Sequence, residues 1–298
     1  MSTREENQSP DPKPSKHRWY QRIGPGLITA CVVIGPGSIL TSSKVGAQHG
    51  YGMSWVVIVA VCFMMVYMTL GAKLGVVAAE SSCTLVAKRA GRWLAVTIGA
   101  SVFFISGAFQ FGNNLGVHSA FKVYEPAMQS LTRGMGFTLD CDYVVVVFNA
   151  LSIAFLFGFK NLYRAVERLM MVFVGVMLFS FAVNLAIARP RIGELVTGFV
   201  PGAEASVDLS VLGLVGTTFV ITAAFFQTYL VRRKGWGIGE LQSGLLDARV
   251  GAVIMALITL MIMTTAGTVL RGKELTNVAD VAQQLEPLFG ETGRALFC

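Results

Sequence analysis

Charge is what this chain has least of. Only 14% of its 298 residues are Asp, Glu, Lys or Arg, against 54% hydrophobic residues and a mean hydropathy of +0.62. A soluble domain carries roughly 25% charged residues, so the composition excludes that class and leaves an integral membrane protein. None of the 17 acids falls inside an apolar stretch: Asp142, Glu167 and Asp247 stand at predicted helix starts, and the rest lie in the tail or loops. An intramembrane acid costs about 2.5–3.5 kcal/mol on insertion scales and is usually kept for function. The spans therefore offer no carboxylate to balance a cation. Histidine is equally scarce: His17 lies in the tail, and His49 and His118 sit at predicted helix ends, so no proton relay is visible.

Other absences narrow the reading further. The five cysteines, Cys31, Cys62, Cys83, Cys141 and Cys298, show no CxxC or metal-like spacing, and read as unpaired thiols acting as small hydrophobes. No zinc-protease motif or GxSxG elbow occurs, so no enzyme and no cofactor is expected. Gly267 to Lys273, GTVLRGK, matches P-loop spacing up to the Lys, but Glu274 replaces the residue that would hold magnesium, and a membrane helix replaces the preceding strand. The net charge of +7 does not point to nucleic acid, because the basic residues come in short runs between apolar segments, such as Arg232, Arg233 and Lys234. Positive loops facing the cytoplasm account for them.

What is present is a series of apolar runs. Residues 1–22 are polar, contain Pro10, Pro12 and Pro14, and read as a disordered cytoplasmic tail. A broken apolar segment from Ile23 to Trp55 follows, then runs at roughly 53–78, 93–118, 142–160, 167–188, 209–231 and 248–270. At about 20 apolar residues per span, residues 23–298 are expected to form a transmembrane domain of seven complete spans. The final LEPLFGETGRALFC reads as the start of an eighth, cut short. With the N-terminus inside, 16 of the 24 Lys and Arg residues fall on cytoplasmic segments, which favours a multi-pass cell-membrane protein with a cytoplasmic N-terminus. The expected partners are the lipid bilayer and a small ion or small molecule. The oligomeric state is open.

The broken segment is the centre of the chain. Gly35, Pro36 and Gly37 interrupt it where an ordinary spanning helix would be continuous. Gly weakens a helix and Pro removes a donor, and unpaired backbone at membrane depth is tolerated only when buried in protein or lining a cavity. The break is therefore a candidate substrate site. Ser38 reads as the N-cap of the half-helix beyond it and as a candidate contact.

The same residues resemble the Nramp family of divalent-metal transporters. The family pattern, GP, then DPGN, AGA-x-x-GY and a Trp, runs without a gap onto Gly24-Pro25, Gly35-Pro36-Gly37-Ser38, Val45-Gly46-Ala47, Gly50-Tyr51 and Trp55. The similarity continues at Ala72 to Gly75, at Arg164 to Glu167, and at Gly216 and Thr218. It implies an all-α, LeuT-like inverted-repeat fold, here incomplete, in which broken first and sixth helices meet at mid-membrane.

Every side-chain ligand implied by the resemblance has changed. Gly35 stands at the family Asp, Ser38 at the Asn, Val220 at the Met and Thr222 at the His of a sixth-helix GATVMPH pattern. Gln110 and Asn113 replace two third-helix acids that help carry protons, and Gln227 replaces a second His. The resemblance thus implies a substrate site of Gly35, Pro36, Gly37, Ser38, Thr217, Val220 and Thr222. Metal would meet backbone or hydroxyl oxygen at Gly35, Ser38 and Thr217. Gln110, Asn113 and Gln227 either line the path or hydrogen-bond between helices. Arg164 and Glu167 form a cytoplasmic ion pair or gate. The expected activity is alternating-access transport of a divalent ion, such as partly hydrated magnesium, without proton coupling. The alternative is a carrier of a small organic or amino-acid-like substrate, since a helix N-terminus suits a carboxylate. Unwinding of the sixth helix is implied by the resemblance alone, because its only local breakers are Gly213 and Gly216.

Overall fold

The computed structural model describes residues 34–281 other than 79, 123, 134–139, 159–161, 203–206, 234, 236 and 277–279. The expected tail, Gly24-Pro25 and the start of an eighth helix lie outside the described residues. Those residues form helices α1 (Pro36–His49), α2 (Ser54–Val77), α3 (Ser82–Ala90), α4 (Arg92–Lys122), α5 (Glu125–Arg133) and α6 (Cys141–Gly158). Helices α7 (Leu162–Ala188), α8 (Ile192–Thr197), α9 (Leu209–Thr218), α10 (Ile221–Arg233) and α11 (Ile238–Val269) follow. Among the described residues six stretches are long and apolar enough to cross a bilayer: Ser54–Val77, Arg92–Lys122, Cys141–Gly158, Met171–Ala188, Leu209–Arg232 and Ala248–Val269. They coincide with the six continuous runs in the sequence.

These segments are helical because each is a proline-free apolar run, and only a helix satisfies its own backbone in hydrocarbon. The 24 residues of α2 span about 36 Å at 1.5 Å per residue. Apolar side chains cover the outside as well as the inside, so α4 exposes Trp93, Phe103 and Phe104 and has no buried residue of its own. Helix α11 runs through the centre, with Ile258, Ile262, Met263 and Ala266 sealed from solvent. Around it pack α1, α2 and α7; α10 lies on α2, and α4 pairs with α6.

Glycine sets how closely these helices approach. A Cβ on Gly46 would lie 2.1 Å from the Met263 carbonyl oxygen, so α1 rests directly on the backbone of α11. Gly267 meets the same contact from the α11 side, where a Cβ on it would lie 3.1 Å from Gly46 O, which gives that glycine a packing role. A Cβ on Gly75 would lie 2.7 Å from Thr228 O, and the Thr228 hydroxyl donates to Gly71 O at 2.9 Å. The Gly71–Gly75 pair thus seats α10 on α2.

The end of the bundle beyond His49 is tied by polar contacts. Gly50 turns the chain with φ of +59°, its amide donating to Gly46 O at 2.8 Å. The Tyr51 and Thr268 hydroxyls stand 2.8 Å apart, Gly272 N donates to Ala47 O at 2.9 Å, and Trp55 N donates to Gly198 O at 3.1 Å. Asp208 caps α9, its Oδ1 accepting from Val211 N at 2.9 Å, while its Oδ2 stands 3.3 Å from His49 Nε2 on α1. Partial burial pushes this carboxyl up, but the Val211 amide and His49 outweigh it and hold Asp208 below the ordinary carboxylate range. Beside it, His49, Tyr51, Glu194, Thr197 and Arg271 are among the residues lining a cavity of about 400 Å³.

Gly46→Ala forces α1 off α11 and is expected to cost about 1–3 kcal/mol, seen as a lower melting temperature in detergent. Gly99→Ala, where a Cβ meets nothing within 4 Å, is expected to be neutral or to stabilise by up to about 1 kcal/mol. Asp208→Ala is expected to cost about 1 kcal/mol through the lost cap, and Asp208→Asn less. Because the folded carboxyl titrates below its ordinary value of 3.8, its contribution is fully present above that pH. The melting temperatures of Asp208→Ala and the wild type should converge as the pH falls below 3.8.

Candidate functional site

The break is built from the Gly35-Pro36-Gly37-Ser38 turn. Gly35 is extended, with φ −125° and ψ 178°, and Pro36 opens α1 where a missing N–H costs nothing. Ser38 closes the turn on itself: its hydroxyl accepts from Gly35 N and donates to Gly35 O, both at 2.9 Å. The Ile39 amide adds a second bond to Gly35 O at 3.0 Å. Thr41 and Ser42 hydroxyls fold back onto Ser38 O at 3.1 and 2.7 Å. The N-cap is thus Gly35 and not Ser38 as the sequence suggested; Ser38 stands in the first turn and reaches back to satisfy the Gly35 amide. Each hydroxyl oxygen has two acceptor sites, so Ser38 retains one.

Helix α4 covers this turn with small residues. A Cβ on Gly116 would lie 2.2 Å from Pro36 Cγ, and one on Gly112 would lie 3.9 Å from Gly37 N. The Gly112–Gly116 pair is therefore a seat for the break. Between these glycines Asn113 reaches the turn, and its Oδ1 lies 3.0 Å from where a Cβ on Gly35 would stand.

The sixth span is interrupted as well, and by packing. Helix α9 ends at Thr218 and α10 begins at Ile221. At the junction Phe219 has φ −94° and ψ 82°, outside the helical region. Its ring packs edge-on against Tyr67 at 5.1 Å and against Phe63 at 6.3 Å, while Val220 enters the apolar core. Two side chains anchored in different directions hold the backbone out of helix without Gly or Pro. The broken helices meet where the Thr41 and Thr217 hydroxyls stand 3.1 Å apart, and Gly213 leaves room for Thr41. Thr217 also donates to Gly213 O at 2.9 Å.

The structure thus brings Gly35, Pro36, Gly37, Ser38 and Asn113 into one cluster and places Thr217 beside it through Thr41. Other residues lie elsewhere. Gln110 points to α6, donating to Asn149 Oδ1 at 2.9 Å and Asn114 Oδ1 at 3.2 Å, while Asn149 donates to Asn114 at 3.0 Å. That amide triad joins two helices. Val220 is a core residue, Thr222 is half-buried, and neither Thr222 nor Gln227 hydrogen-bonds to the break among the described residues. Gln227 is buried on α10 with its Oε1 unpaired. Arg164 and Glu167 stand in the first turns of α7, but their side chains lie outside the described ones.

Lys44 has no place in the sequence reading of the site, although a lone Lys inside an apolar run is itself a signal. It lies on the α1 stripe of Gly37, Thr41, Lys44 and Gln48, residues spaced to share one face. On that stripe Gly37 meets α4 and Thr41 meets α9. Lys44 is half-buried, about 12 Å along the axis from Pro36, and has no ion-pair partner among the described residues. Asn184 on α7 was also not singled out in the sequence; it is buried with both amide atoms unpaired. No group of three or more His, Cys, Asp or Glu that could hold a metal occurs among the described residues. A cation at the break would meet neutral oxygens.

Known proteins agree with this architecture. The family model for Nramp, natural resistance-associated macrophage protein-like, matches residues 26–298. The chain is 26% identical to the divalent metal cation transporter MntH of Chromohalobacter salexigens over 94% of this chain, and 25% identical to MntH of Deinococcus radiodurans over 92%. It spans 64% and 63% of the lengths of those two relatives. A crystal structure of the Eremococcus coleocola manganese transporter mutant E129Q superposes with a TM-score of 0.73 at 15% identity, over 95% of this chain and 62% of that one. The all-α, LeuT-like membrane fold expected from the sequence is the fold observed. The match over nearly the whole chain, and over both interrupted helices, places this integral membrane protein in the Nramp family.

Proposed function

We propose that the chain forms the substrate-binding part of a transporter that moves a divalent metal ion by alternating access. The observation that carries this reading is the meeting of two interrupted helices at Thr41 and Thr217, beside a turn surrounded by oxygen dipoles. Relatives over most of the chain are named divalent metal cation transporters, which supports the same cargo class. The cluster lacks the thioether and carboxylate that favour transition metals. Carbonyl oxygen at the break, the remaining lone pair of Ser38 and that of Thr217 suit a hard, partly hydrated ion such as magnesium. Without an acid or His at the break, uptake proceeds without proton coupling. The N-terminus is cytoplasmic, so the end bearing His49, Asp208 and the cavity faces outward.

A second reading rests on Lys44. Its side chain shares the stripe that rises from the break, about 12 Å along the axis from Pro36, and the N-terminus of α1 carries a positive partial charge at the break itself. Together they fit the carboxylate of a small organic or amino-acid-like cargo better than a cation.

Full-length protein in liposomes is expected to take up magnesium or manganese without labelled amino acids, at a rate unchanged by a pH gradient. Amino-acid uptake without metal uptake would overturn the metal reading in favour of the second. Lys44→Gln separates them further. Removing a like charge from the stripe that rises from the site is expected to raise metal uptake, by up to about tenfold. For an anionic cargo the same variant loses uptake.

A further inference from the structure

The hydroxyl and carbonyl oxygens at the break each already take part in at least one hydrogen bond. Ser38, Thr41, Ser42 and Thr217 hydroxyls each take part in a hydrogen bond, and Gly35 O already accepts two. Asn113 differs: its carboxamide makes no hydrogen bond among the described residues, while its neighbours Gln110 and Asn114 are held by Asn149. Its side chain is exposed, and it lies against the turn. Gly112 and Gly116 bring α4 onto Pro36 and Gly37 so closely that the short Asn113 side chain ends at the turn, 3.0 Å from the missing Cβ of Gly35.

We propose that Asn113 is the specificity-determining side chain of the break, its carboxamide oxygen standing where a side chain on residue 35 would project and serving as the neutral donor offered to the cation. The assignment rests on the divalent-ion reading. Its chemistry follows from the group. A carboxamide oxygen is a hard, uncharged acceptor with two lone pairs, which replaces one water of a hydrated ion without supplying the charge that would strip the others. A site so built accepts a partly hydrated hard ion and does not titrate near neutral pH. It also makes residues 35 and 113 a coupled pair, since an acid introduced at 35 must share space with Asn113.

The test uses the full-length protein, with calorimetry of manganese and magnesium binding and uptake in liposomes. Asn113→Asp, which keeps the shape of the side chain, is expected to tighten manganese binding about tenfold. Asn113→Ala is expected to lose about tenfold in magnesium binding. Gly35→Asp alone gains little because its carboxylate meets Asn113, and Gly35→Asp with Asn113→Ala exceeds the sum of the single changes. Wild-type metal uptake with an Asn113→Ala variant that matches it, and additive effects at 35 and 113, would overturn the assignment while leaving the divalent-ion reading intact. A wild-type protein that binds no divalent ion would overturn that reading and the assignment with it.

Discussion

An interrupted helix inside a bilayer must find partners for its own backbone, and the rest of this structure follows from how that is done at Gly35. Pro36 removes a donor, Ser38 returns the Gly35 amide and carbonyl to the turn, and the hydroxyls of Thr41 and Ser42 cap Ser38 O. With so much satisfied locally, the turn tolerates a covering helix made of glycine at the contact. Gly112 and Gly116 let α4 approach until its backbone lies against Pro36 and Gly37. A break covered in this way keeps its polar backbone away from lipid, which is what a site for a small charged or hydrated species needs.

Close approach through glycine is the second theme. Gly46 rests on Met263 O, Gly75 on Thr228 O and Gly116 on Pro36, so α1, α2 and α4 are each set against a neighbour at backbone distance. Lipid supplies no hydrophobic drive between helices, and dispersion at short range has to hold them together. Position along these contacts is discrete, because a glycine seat fits one register. The Thr41–Thr217 contact and the Asp208–His49 contact then bind the far halves of the two broken helices at two levels.

Much of this was legible in the residues. Apolar runs of about 20 residues located the spans, and the Gly-Pro-Gly interruption located the break. The interruption of the sixth span was not legible from composition, because no Gly or Pro stands at Phe219–Val220 and the break comes from a ring held by Tyr67 and Phe63 on α2. Nor did the chain order separate Gln110 from Asn113, three residues apart on one helix. Helical phase turns one toward Asn149 and the other toward Gly35.

The sequence by itself determined the class of protein, the positions of the spans, the place of the first break and the absence of acids from the span interiors. These depend on local composition, since the cost of putting a polar or charged group into hydrocarbon is paid residue by residue. Only the tertiary structure decided which oxygens remain open at the break, how the second break is held, and that Lys44 lies on the face that rises from the site. Those depend on which helix faces which. That is set by glycine contacts between residues as far apart as Gly46 and Met263, a distance along the chain that no local pattern spans.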